Sequence, residues 1–241
     1  MNQTIAEWKN ELQNAARPEK IKILSSFFKT GKGEYGEGDI FIGVVVPENR
    51  KIAQRYFNLP LDDIEQMIKH EIHEFRISGL FALVYKYRKE KNPEAKQAIV
   101  DFYLANADKC NNWDLVDLSA PYILGEHLID HPSPTLLDKL SSSTNLWRQR
   151  IAIVSTLTLI RHNLFEDTLR IAKRYLSHQH PLIHKATGWM LREVGKRNET
   201  VLLEFLNCHC HKMPRTALRY AIERFDEEKR RHYMSISKKC K

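Results

Sequence analysis

The chain has 241 residues, with 38 Lys and Arg against 30 Asp and Glu, a formal net charge of +8 and a pI near 9.2. Its 42% apolar share excludes a disordered chain and is enough for one substantial core or a stack of repeats, while no run approaches the ~18 consecutive apolar residues of a membrane span. The charge favours a polyanionic partner, either nucleic acid or an anionic membrane surface.

The start, MNQTIAEWKNELQNAARPEK, has no apolar stretch of the kind that marks a secretory signal. Cys110, Cys208, Cys210 and Cys240 show no disulfide-framework spacing and fit a reducing cytosol, so a cytoplasmic protein is expected. Residues 1–28 read as N-terminal helices. Four of the nine glycines lie between Gly31 and Gly38, and a β-branched run reaches Val46 before Pro47, so 29–50 reads as a glycine-rich loop with Pro47 opening the next helix. From 51 to 228 apolar residues recur at three and four spacing, as in LDDIEQMIKHEIHEFRISGLFALVYKYRKE, which predicts helix after helix. The segment 229–241 reads as a frayed basic tail. The whole, 1–241, is expected to be a single domain.

Five helical segments share a frame. They begin at Arg76, Asp117, Arg150, Lys185 and Arg215, with spacings of 41, 33, 35 and 30 residues, and a second helix fits between each pair. A helix pair every 30 to 40 residues is the pattern of an all-α, HEAT-like solenoid, in which equivalent positions line up on one face. Four of the five positions carry Arg or Lys, which predicts a concave basic face suited to a phosphate backbone. The fifth carries Asp117, a carboxylate that bound phosphates would repel and a cationic centre would attract. Trp113 stands one helical turn before Asp117, Trp189 one turn after Lys185, and Trp147 three residues before Arg150. Trp beside Arg suits stacking on sugars and bases.

With these residues in view, the sequence resembles the AlkD-like DNA alkylation repair glycosylases. The matching pieces are FIGVVVPENRK at 41–51, WDLVD at 113–117, LWRQR at 146–150 and KATGWMLREVGK at 185–196, in one order across roughly residues 20–225. The resemblance implies that Asp117 supports glycosidic cleavage, that Trp113 and Trp189 pack on the lesion nucleotide's backbone, and that Arg150 lies at the cleft. The repeat frame and its neighbouring residues add expected DNA contacts at Lys185, Arg148, Trp147, Arg192, Arg76 and Arg215. The implied reaction is removal of cationic N3- and N7-alkylpurines from duplex DNA without extrusion of the base, by a monomer that uses neither metal nor organic cofactor. The chain departs from the family in its longer glycine loop and in Phe27, which stands where the best-known member has an active-site tyrosine.

The chemistry explains the residue types. Breaking an N-glycosidic bond leaves positive charge on the sugar, and a fixed carboxylate stabilises it, a contribution of about 3–4 kcal/mol in comparable electrostatic sites. A base that is already cationic leaves as a neutral purine and needs no acid. The plainer readings are that Asp114 and Asp117 cap a helix, with Asp114 the better cap or support, and that the tryptophans are core. A solenoid that binds distorted or branched DNA without cleaving it is the alternative function, and a protein-interaction scaffold the third. HEIHEF at 70–75 lacks the spacing of the zinc-protease motif, Cys208-His209-Cys210-His211 lacks a second ligand pair, and the glycine loop lacks the end of a P-loop. Lys29 and Lys32 leave that loop open to a DNA contact or a connector role.

Overall fold

The computed structural model describes residues 3–239, with side chains through residue 236. The chain is all-helical: fifteen α-helices and two short 3-10 turns run through the described residues, and the one β-type contact among them is an isolated bridge between Ile40 and Ile72. No helix among the described residues is long and apolar enough to cross a membrane. The chain divides into two compact units, Met1–Ser119 and Ala120–Lys241.

In the first unit, α1 (Ile5–Asn14) starts at a reciprocal cap in which Thr4 and Glu7 satisfy each other's backbone N–H groups. It buries Trp8, which stacks on Tyr56 at 5.4 Å and donates its indole N–H to Ser78 Oγ at 2.9 Å. Helices α2 (Pro18–Phe27) and α3 (Val46–Ala53) flank the glycine loop, and α3 carries Pro47 in its first turn as expected. The long helix α5 (His73–Lys89) packs against α1, α3, α4 (Leu61–Ile68), α6 (Pro93–Ala105) and α7 (Trp113–Asp117). The loop is tied to α5 by Glu74, whose buried carboxylate accepts the N–H groups of Ile42 and Gly43. Gly43 has φ 93°, and a Cβ there would lie 2.0 Å from the Arg17 carbonyl oxygen, so only glycine passes.

The second unit runs from α8 (Leu124–Asp130) and α9 (Pro134–Ser141) through α10 (Leu146–Arg161) and α11 (Glu166–Arg174) to α12 (Pro181–Arg197), α13 (Glu199–His209), α14 (Arg215–Ala221) and α15 (Glu227–Lys239). Helix α10 packs on α8, α9, α11 and α12, and α12 packs on α13 and α14, so successive helix pairs share neighbours. Each fully buried Leu or Ile in such a stack contributes about 1.5–3 kcal/mol. Gly188 lets α12 and α14 touch, since a Cβ there would meet the Ala217 carbonyl oxygen at 2.3 Å.

Helix α3 begins at Val46, so the loop ends there and residues 46–50 are helical from the turn that Pro47 opens. The segment expected to fray from 229 belongs to α15, which Tyr233 docks by burying its ring and donating its hydroxyl to Asn207 Oδ1 at 2.8 Å. Cys240 lies outside the described residues.

Candidate active site

Helix α7 has five residues, WDLVD. Its N-cap is Asn112, whose side-chain oxygen accepts the Trp113 N–H at 2.8 Å. Asp117 is the last residue of the helix, so neither aspartate of the motif is the cap. Asp114, Leu115 and Val116 are buried, while Trp113 and Asp117, one turn apart, are half-exposed. The helix therefore leaves one aromatic and one carboxylate partly exposed one turn apart.

The Trp113 ring is fixed by neighbours. Phe28 stacks on it at 5.3 Å and Phe27 meets it edge-on at 5.6 Å. Phe28 in turn stacks on Phe41 at 5.2 Å. Phe27 itself is 61% exposed, a large apolar ring left open to solvent beside Trp113.

Beneath this aromatic layer lies a buried polar network that the sequence did not reveal. His73 sits between two carboxylates: its Nε2 meets Asp114 Oδ2 at 2.8 Å and its Nδ1 meets Asp39 Oδ2 at 3.2 Å. Asp39 also accepts from Arg76 at 2.5 Å and from the Asn112 amide at 3.1 Å. Burial opposes charge on His73, but the Asp114 charge and hydrogen bond, with the bond to Asp39, outweigh it and lift its pKa to about 9. Burial likewise works against ionised Asp39, but the His73 bond, the Arg76 charge and the Asn112 amide hold its carboxyl below the usual range. At neutral pH both ring nitrogens of His73 donate. Asp114, read from sequence as a cap or support, is a support.

Three of the expected DNA contacts are buried in this structure. Arg76 is buried, its guanidinium spent on Asp39 and on the His70 and Glu71 carbonyls. Trp147 is buried in the second unit. Arg150, expected at the DNA, is also buried and donates to the Leu182 carbonyl at 2.6 Å, which ties α10 to the first turn of α12. The five-position frame is thus not a continuous exposed stripe. A basic residue opening a long helix meets neighbours on several sides, and here two of them turn inward.

The remaining basic positions lie at the surface of the second unit. Lys185, Trp189 and Arg192 follow one another at i, i+4 and i+7 along α12; Lys185 is exposed and the other two are half-exposed. Arg192 pairs with Glu223 and, at 3.5 Å, with Glu193. Arg148 is half-exposed in the first turn of α10, where Asn145 caps its N–H. Arg215 is half-buried and donates to the Met234 carbonyl at 3.3 Å. Cys208 is exposed and Cys210 buried, so that pair splits between surface and core.

No curated protein matches the sequence. Among solved structures, the chain is similar to one described as a predicted DNA alkylation repair enzyme from Enterococcus faecalis, with a TM-score of 0.69 and 18% identity over 88% of this chain and 97% of that one, which shows a shared fold. The sequence model of the DNA alkylation repair enzyme family matches residues 8–225. With its all-helical fold and nearly its whole length matched, the chain belongs to the DNA alkylation repair enzyme family.

Proposed function

We propose that the protein is a DNA glycosylase that hydrolyses the N-glycosidic bond of cationic N3- and N7-alkylpurines, such as 3-methyladenine and 7-methylguanine, in duplex DNA. The observation that carries this reading is that Trp113 and Asp117, one turn apart, stay partly exposed on a helix whose Asp114, Leu115 and Val116 are buried.

The C1′–N bond breaks heterolytically, and its electron pair neutralises the charge already on the purine. The sugar is left as an oxocarbenium ion. The Asp117 carboxylate stabilises that charge and orients the water whose oxygen bonds to C1′ and whose proton is released. The Trp113 face packs on the lesion nucleotide, and Trp189 on α12 of the second unit offers an aromatic face to DNA. Lys185, Arg148, Arg192 and Arg215 hold phosphates, with Arg192 exchanging its carboxylate partners for the backbone. Arg150 fixes α12, the helix that carries Trp189, and adds positive potential from within. No acid is required, because the leaving group departs neutral.

The test is release of 7-methylguanine from methylated duplex DNA by the wild-type chain and by Asp117→Asn. The expected result is a drop of about 10²-fold or more in the single-turnover rate with DNA affinity retained. Tight, salt-sensitive DNA binding with no base release by wild type would sink the glycosylase reading and leave a protein that binds DNA without cleaving it.

A further inference from the structure

Helix α7 is far shorter than the ~12–15 residues at which an isolated helix begins to hold its shape. Its direction is set by what it is tied to: the Asn112 cap, the buried Leu115 and Val116, and the bond from Asp114 to His73 on α5. His73 is the hub of these ties, since the same ring grips Asp39 from the glycine loop, and Asn112 grips Asp39 as well. Two aromatic rings pack against it, Phe28 at 4.9 Å and Phe41 at 4.7 Å.

A network of this kind is a poor way to gain stability. Four ionisable side chains, Asp39, His73, Arg76 and Asp114, are buried together, and apolar replacements of similar volume are often as stable or more so. Nor are all its atoms satisfied: Asp114 Oδ1 and Arg76 Nε are buried with no hydrogen-bond partner among the described residues. What the network does provide is a fixed direction, because a bridged imidazolium tolerates little rotation of either carboxylate.

We propose that His73, held between Asp39 and Asp114, is a positioning residue for α7, fixing where the Trp113 ring and the Asp117 carboxylate stand. What those two groups do rests on the glycosylase reading above. Asp114 lies one residue after Trp113 and three before Asp117, so a tilt at Asp114 moves both. A displacement near 1 Å at a reacting centre costs on the order of 10²-fold in rate.

The charged groups that act on His73 are Asp39 from the loop, Asp114 from α7, and Arg76 and Glu74 from its own helix. His73 keeps its second proton well above neutrality, and losing it breaks one of the two bridges.

The experiment compares wild type, His73→Gln and Asp39→Asn, the last keeping the His73–Asp114 bond if the first does not fold. Three quantities are read: single-turnover release of 7-methylguanine from pH 6.5 to 9.5, DNA affinity, and the protonation of the His73 ring by nitrogen NMR. A fourth, the fluorine resonance of 5-fluorotryptophan at position 113, reports α7 without any need for activity. The expected result is a doubly protonated His73 at pH 7.5 and release slowed about 10–10²-fold in His73→Gln at unchanged affinity. Asp39→Asn should show a smaller loss, with an alkaline limb moved to lower pH. Release by His73→Gln at the wild-type rate and with the wild-type pH profile overturns the proposal, as does a singly protonated ring at pH 7.5. If wild type releases no base, the glycosylase reading falls alone. A Trp113 resonance displaced in both variants then still supports the tie to α7, and an unmoved one overturns it.

Discussion

Two long helices, one in each unit, solve the problem of burial in opposite ways. The first turn of α5 is His73, Glu74, Phe75 and Arg76, all buried, and three of the four are ionisable. In α10 every residue from Ile151 to Ile160 is buried and none is ionisable. Its hydroxyls are satisfied by nearby carbonyls: Ser155 donates to Ala152, Thr156 to Ile153, and Thr158 to Pro121. The second unit thus relies on packing, which is insensitive to pH and strong per residue. The first relies, around α7, on charges whose partners come from distant parts of the chain, which makes it specific in geometry and vulnerable in chemistry. Stability and placement are separate demands, and the costly solution sits under the helix that carries Trp113 and Asp117.

The contrast is broken most severely by removing one member of the network. Asp114→Ala leaves the His73 imidazolium buried with half of its compensation. We expect a loss of about 4 kcal/mol in urea unfolding followed by circular dichroism, the usual scale for orphaning one partner of a buried pair. A loss below about 1 kcal/mol, the scale of an exposed pair, would show that the network is as weakly coupled as a surface salt bridge.

The pH dependence sharpens the same comparison. The folded pKa of His73, about 9, lies above the ordinary value of 6.5. Its contribution to stability is therefore fully present below pH 6.5 and is lost as pH rises through about 9. Between pH 6.5 and 9.5 the chain should lose on the order of 3 kcal/mol by proton linkage, and His73→Gln, already without this contribution, should lose little over that window. Asp39 behaves in the opposite sense: its contribution is present above the unfolded carboxylate value and is lost as pH falls through its lowered folded one. An equal alkaline loss in His73→Gln would assign the slope to other groups.

Much of the helical frame is legible in the sequence because its signals are local. Apolar spacing marks the helices, Pro47 marks the start of α3, and WDLVD reads as helix. What escapes is every residue whose meaning depends on a distant partner. Arg76 looks like a surface cation until Asp39, 37 residues earlier, is brought to it. Arg150 looks the same until the Leu182 carbonyl, 32 residues later, accepts its hydrogen bond. HEIHEF lacks the zinc-motif spacing, yet its second histidine is the hub of the network, through partners 34 residues before and 41 after it. A lone Asp39 in a glycine loop offers no pattern at all. The family blocks locate Trp113 and Asp117 but are silent on what holds them.

The smallest expected effect concerns the surface of the second unit, where no buried charge is at stake. Lys185 is exposed on α12, one turn before Trp189. If it meets a phosphate, Lys185→Gln should weaken binding to any duplex sequence about equally and reduce the slope of log affinity against log salt by about 0.9, with the folded stability unchanged. The measurement is DNA affinity by fluorescence anisotropy from 50 to 200 mM salt, on the order of the range over which such slopes are resolved. An unchanged slope would move the phosphate contacts away from α12 to other exposed cations, of which Lys29 and Lys32 beside the glycine loop are the next to test. The first unit would then supply DNA grip as well as chemistry, and the apolar stack of α10 and α12 would act as a support for Trp189 alone.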